Sequence, residues 1–298
     1  MIHQFSGKHS TLPFGLFISL IIGCGTTDQP KIHRNNLVFD GMTRDYIVFT
    51  PHRPSDAMPL IINLHGYGSS AEEQMAYTGM NAVADTAGFI VVYPNAVGRR
   101  WNSGIGDNPS WPTPDVDDVG FIDALIDALG ERYTIDSTRV YACGMSNGGF
   151  MSCKLACEFS HKIRAAASVT GIISTGTVSS CSPHKAIPML FMFGTQDPTV
   201  PYIGTIGWHS AEETVSHFSA LNDCSKADTT FLRDLDSSDG SRPTQITYMD
   251  STGNKRVIFY KIVGGGHTWP GAKYGLRGST NKDINASEVI CRFFNEFR

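Results

Sequence analysis

Short apolar runs separated by polar, glycine-rich stretches set the rhythm of this chain. Asp45-Tyr46-Ile47-Val48-Phe49 predicts an early strand. Leu60-Ile61-Ile62-Asn63-Leu64 is apolar at almost every position and stops at His65-Gly66, as a strand covered on both faces would. Phe89 to Tyr93, Val140 to Cys143, Ala165 to Val169, Met189 to Phe193 and Val257 to Val263 read as further strands. Between them the period lengthens to that of a helix. Ala71 to Ala87 reads as one helix. Asp117 to Arg132 carries Ile122, Leu125, Ile126 and Leu129 on one face, with Asp117 and Asp118 at the end where a helix dipole favours negative charge. Asn147 to Glu158, Glu212 to Leu221 and Glu288 to Phe297 complete the helices. Strands alternating with helices predict an α/β fold, a mostly parallel central sheet with helices on both faces. Residues 94–115, rich in Gly, Pro, Asn and Trp, form a long loop of the kind that often carries function. No repeat or linker divides the chain, so one catalytic-sized domain is expected over residues 36–298.

The first residues follow another logic. Lys8 is the only Lys, Arg, Asp or Glu before position 24, and the apolar run from Leu16 to Ile22 is too short to hold a bilayer span. Residues 1–23 therefore read as a signal peptide. The run ends in Ile21-Ile22-Gly23-Cys24, which resembles a bacterial lipobox. In that reading Cys24 is lipidated, residues 24–35 are a tether, and the membrane is met only through the lipid anchor. The alternative is a plain secretory signal with an unmodified Cys24. Both export the protein, and export makes the cysteines informative. Without Cys24, six remain: Cys143, Cys153, Cys157, Cys181, Cys224 and Cys291. An even number in an oxidising compartment suggests disulfides, with the pairing left open.

Composition narrows the partners. The chain has 298 residues, 41% hydrophobic and 17% charged, an ordinary globular balance. A net charge of −4 with no dense Lys/Arg run argues against nucleic acid. No metal site is expected: Cys153 and Cys157 could share a helix face, but no CxxC or HExxH accompanies them.

The chemistry lies in Gly144-Met145-Ser146-Asn147-Gly148, a GxSxG pattern between an expected strand and an expected helix. A serine held on so sharp a turn needs small neighbours, and the turn exposes its hydroxyl. A hydroxyl attacks only when a base takes its proton. His267, after Gly264-Gly265-Gly266 and an expected strand, is the candidate base. Asp197, in Thr195-Gln196-Asp197-Pro198 after another strand, is the candidate acid that orients it. His65-Gly66-Tyr67-Gly68 follows a strand, where the backbone N–H of Tyr67 can join that of Asn147 in stabilising an oxyanion. Trp101, Trp269 and Tyr202 are candidate substrate-binding residues, with Trp111 and Trp208 nearby in sequence, because flat side chains suit sugar or phenolic rings.

Taken together, His65-Gly66-Tyr67-Gly68, Val116-Asp117-Asp118-Val119-Gly120-Phe121, Gly144 to Gly149, Asp197 to Tyr202 and Gly266-His267-Thr268-Trp269-Pro270-Gly271 resemble the esterase/polyhydroxybutyrate-depolymerase family of α/β-hydrolases, close to feruloyl and acetylxylan esterases. The resemblance covers roughly residues 36–298. It implies the α/β-hydrolase fold with minimal lid, a Ser146–Asp197–His267 triad and a Cys157–Cys181 disulfide. Family members often carry a cysteine near 251 as partner for one near 224; Ser251 stands here, which leaves Cys224 without that partner. The activity implied is hydrolysis, without cofactor, of small-molecule or oligosaccharide esters of the feruloyl or acetyl sugar type. Rival readings are a polyhydroxybutyrate depolymerase, a peptidase on the same fold, and a non-catalytic surface-binding lipoprotein with a relic triad.

Overall fold

The computed structural model describes Met1 and residues 29–52, 57–105 and 114–297. Within them ten strands form one sheet: β1 (Lys31–Phe39), β2 (Met42–Thr50), β3 (Met58–Leu64), β4 (Ile90–Pro94), β5 (Ile135–Met145), β6 (Ala165–Val169), β7 (Met189–Gly194), β8 (Cys224–Phe231), β9 (Arg242–Asp250) and β10 (Lys255–Val263). Their order across the sheet is β1-β2-β4-β3-β5-β6-β7-β10-β9-β8. The strands from β4 to β10 in that order run parallel, while β1 and β2 at one edge and β9 and β8 at the other are antiparallel.

The apolar runs occupy the parallel centre, as expected. Leu60, Ile62 and Leu64 pack into a core on one face with α3 (Asp118–Gly130), α4 (Asn147–Glu158) and α6 (Ala211–Leu221). Ile61 points to the other face, where α1 (Ala71–Thr78), α2 (Met80–Ala87) and α7 (Ala286–Asn295) close a second core. Burial on both faces removes the polar alternation that an exposed strand would show.

Three expectations need correction. The helix expected over residues 71–87 is two, because Gly79 adopts a left-handed φ of 60° that ends α1. Residues 31–35, expected in a tether over residues 24–35, belong to β1, a polar edge strand whose exposed faces leave no hydrophobic period to read. No strand is expected at β1, β8 or β9. β8 is exposed along nearly its whole length, for the same reason. The expected signal segment and Cys24 lie outside the described residues.

Cys157 at the end of α4 is bonded to Cys181, just after α5 (Thr175–Ser180). Cys143, Cys153, Cys224 and Cys291 are free. Cys143 and Cys153 lie in the two different cores, on opposite faces of the sheet, so they cannot meet. Cys224 stands opposite Asp250, next to Ser251, so the position of the missing partner is indeed beside it.

Candidate active site

The site begins where β5 turns into α4. Ser146 sits between them at φ 54°, ψ −122°, half-buried, a conformation that costs a non-glycine residue roughly 1–3 kcal/mol. The flanking glycines make the turn possible. A Cβ on Gly144 would lie 2.5 Å from the backbone of Gly148, and one on Gly148 would lie 2.1 Å from the carbonyl oxygen of Leu64. Any side chain would push the serine off its perch. The Ser146 N–H donates to Val169 O at the end of β6 (2.9 Å), which fixes the turn against the sheet.

The acid and the histidine come together because β7 and β10 are parallel neighbours. Loops leaving the same ends of adjacent strands run side by side, and Gln196 N donates to Gly265 O across the gap (2.9 Å). His267 Nδ1 lies 2.7 Å from Asp197 Oδ2, with both side chains buried. The other carboxylate oxygen of Asp197 accepts from the backbone N–H of Thr199 and Val200, each at 2.8 Å. A carboxylate can only accept, so Nδ1 carries the hydrogen and Nε2 is left with its lone pair. His267 and Ser146 line the same cavity.

β3 and β5 are also parallel neighbours, with Leu64 in register with Gly144, so the His65-Gly66-Tyr67 turn lies beside the elbow. Here the structure adds residues whose roles the motif reading did not foresee. His65 is fully buried, and burial pulls its pKa down from 6.5 to about 4. Its Nε2 accepts from Ala96 N (3.1 Å), so the hydrogen sits on Nδ1 and is donated to Gly66 O (2.7 Å). The carbonyl of His65 accepts from the indole N–H of Trp101 (2.9 Å). The Asn147 side chain closes the circuit: Oδ1 accepts from Trp101 N (2.7 Å) and Nδ2 donates to Ser103 Oγ (2.8 Å). Turn, loop and elbow thus form one hydrogen-bonded unit. Asp118 braces it from behind, accepting from Arg44 Nη2 and from Asn102 N, both at 2.7 Å. That accounts for the second Asp of the Asp117-Asp118 pair, while the first caps α3 through Gly120 N. The motifs name His65, Asp118 and Asn147, but no periodicity shows that their side chains join Trp101 in one network.

Two cavities meet at Ser146, Tyr67 and Thr199. The small one, about 30 Å³, is walled by Trp101, Ile105, Phe150, Val200 and Trp208. The large one, about 590 Å³, is bordered by His267, Glu73, Tyr77, Tyr274, Leu276 and Arg277. Of the aromatic residues expected to bind substrate, Trp101 is in the small wall. Trp269 is not at the site: it is 1% exposed, its indole N–H donates to Ser287 Oγ (3.2 Å), and it packs in the core beneath the histidine loop. Being two residues from His267 does not set the direction of its side chain. Tyr202 lines neither cavity; its hydroxyl donates to Glu212 (2.8 Å) and Lys261 rests over its ring. Trp208, by contrast, is brought in, its ring edge-on to Phe150. Trp111 lies outside the described residues.

Hydrolases of the α/β-hydrolase fold place their nucleophile at such an elbow and follow it in sequence with acid and histidine; the chain falls in that class and is a serine ester hydrolase. Comparison with known proteins narrows it further. Residues 45–190 match the model of the family described as esterase PHB depolymerase. A putative esterase, NocK, of Nocardia uniformis subsp. tsuyamanensis is 30% identical over 279 residues, 86% of this chain and 80% of that protein. A probable feruloyl esterase C of Aspergillus terreus is 28% identical over 263 residues, 85% of each. Among solved structures, an acetyl xylan esterase from Aspergillus awamori superposes with a TM-score of 0.61 over 89% of this chain and 99% of that one, at 13% identity, a likeness of fold. The chain belongs to the esterase/polyhydroxybutyrate-depolymerase family.

Proposed function

We propose that Ser146, His267 and Asp197 form the catalytic triad of an exported esterase acting on small or oligomeric esters. The observation that carries this is the buried 2.7 Å contact between His267 Nδ1 and Asp197, with the histidine opening on the same cavity as a serine held at a strained elbow. His267 Nε2 takes the Ser146 proton as Oγ attacks the ester carbonyl. Charge then develops on the carbonyl oxygen. The backbone N–H of Asn147 is suited to meet it, because the first residue of a helix has no carbonyl one turn back. The N–H of Tyr67, on the turn braced by His65, is its partner in the oxyanion hole. The histidine returns the proton to the leaving alcohol, and water repeats the sequence to release the acid.

Relatives named as feruloyl and acetylxylan esterases support sugar-linked esters as the substrate class. Export through residues 1–23, with Cys24 as a lipid anchor, fits the Cys157–Cys181 disulfide; the intact mass of the mature N-terminus checks it. The triad is tested with Ser146→Ala. Hydrolysis of p-nitrophenyl acetate should fall by about 10⁴-fold or more with the unfolding midpoint unchanged. Retained turnover in the purified variant would remove Ser146 from the mechanism.

A further inference from the structure

The two cavities are not interchangeable, because the chemistry gives each a side. Resting on the triad reading, the leaving alcohol must take its proton from His267, so it departs on the side that His267 lines. His267 borders only the large cavity. The acyl group, on the opposite side of the carbonyl carbon, therefore enters the small one.

We infer that this enzyme has an acyl-length ceiling of about three to four carbons, set by the wall of Trp101, Ile105, Phe150 and Trp208. The cavity of about 30 Å³ has room for two to three water-sized groups, at about 10–15 Å³ each. Beyond the carbonyl carbon that is one methyl for acetyl, two carbons for propionyl and three for butyryl. A hydroxycinnamoyl group, with a ring and a vinyl spacer, is several times too large. The wall is not free to swing aside. Trp101 is held at both its indole and its backbone N–H, by His65 O and Asn147 Oδ1. Phe150 and Trp208 are buried and brace each other edge to face, ring centres 5.7 Å apart. The alcohol side has about 590 Å³ and polar groups at its border, which suits a sugar or other polyol. The preferred substrates are thus short-chain, acetyl-type esters of large alcohols, with the hydroxycinnamoyl esters excluded by the acyl side.

The test varies the acid at a fixed alcohol: p-nitrophenyl acetate, propionate, butyrate and hexanoate in one series, and methyl ferulate against methyl acetate as the aromatic case, on the mature protein. kcat/KM should be highest for acetate and propionate. It should fall at butyrate, at the limit of the cavity, and by about tenfold or more at hexanoate, with methyl ferulate near background. Trp208→Ala should raise hexanoate relative to acetate. Should that buried substitution prevent folding, Ile105→Ala at the rim of the same wall gives the same comparison. A profile that is flat or rises through hexanoate, or turnover of methyl ferulate on a par with acetate, overturns the ceiling while leaving the triad standing. A folded protein that hydrolyses none of these esters overturns the triad reading itself.

Discussion

The two walls that face each other across Ser146 are built by opposite means. On the acyl side the protein is finished before substrate arrives. Trp101 is 1% exposed and pinned at two points, Asn147 clamps the loop to the elbow, and Asp118 and Arg44 brace it from behind. On the alcohol side Tyr274 and Leu276 are 55% and 54% exposed, and the segment is tied to the histidine loop by its backbone, where Arg277 O accepts from His267 N (2.7 Å). The first wall is assembled from α4 and from the segments that follow β4 and β7, all at the carboxyl end of the parallel sheet. The second is a surface excursion between β10 and α7. Preorganised dipoles and fixed shape belong where charge develops and where the acyl group must be held. An open border serves an alcohol that must leave. Discrimination by shape therefore belongs to one side, and tolerance to the other.

The largest effect is expected from the residue that belongs to neither wall. Asp197→Asn keeps the size of the side chain but no longer enforces the Nδ1–H form of His267. kcat should fall by about 10⁴-fold. In the proposed triad the histidine serves both attack and departure, so the loss should be the same for acetate and butyrate, and for small and large alcohols. A loss that tracked either the acid or the alcohol would place Asp197 in one wall and break the symmetry of the comparison.

The next effect tests whether the closed side depends on a neutral His65. Its pKa is about 4 folded against 6.5 when exposed. The unfolded chain therefore binds more protons between those values, so stability is full above pH 6.5 and is lost as pH falls toward 4. A shift of this size corresponds to about 3 kcal/mol. Urea unfolding should show that decline, and His65→Asn, which cannot take up a proton, should show a shallower one over the same range. Equal slopes in the two proteins would mean that other groups govern the acid limit.

How much of this could be read from the chain depends on how local each cause is. Gly144 and Gly148 are required by contacts within the elbow itself and with the next strand, so the motif carries its own explanation. The order of Ser146, Asp197 and His267 follows from the chain path of a parallel sheet, and the central strands announced themselves through unbroken apolar runs. The network around His65 is different. Its partners Ala96 and Trp101 lie in a loop whose approach no periodicity reveals. Phe150, Ile105 and Val200 look like any core residues until the sheet places them around one cavity. Trp269 was misread for the converse reason: nearness in sequence to His267 says nothing about which way the indole points, and it points into the core. The edge strands β1 and β8 are not predicted because exposed strands have no apolar face to repeat.

The smallest expected effects lie on the open side, and they are the sharpest check on the division. Leu276→Ala and Arg277→Ala remove side chains from the border of the large cavity, where both residues are exposed. The bond from His267 N to Arg277 O is made by the backbone and survives either change. Stability should stay within about 0.5 kcal/mol, as for most surface substitutions. Losing a contact worth about 1 kcal/mol should raise KM for an acetylated oligosaccharide roughly fivefold, and that for p-nitrophenyl acetate less, since the small phenol reaches little of the border. The ranking of acetate over butyrate should not move, because the acyl wall lies across Ser146 and shares neither residue. If truncating Leu276 instead changed acyl preference and left the oligosaccharide KM untouched, the two cavities would have been assigned to the wrong halves of the ester. The alcohol would then occupy the closed pocket, and His267 would have to reach its leaving oxygen from the far side of the serine.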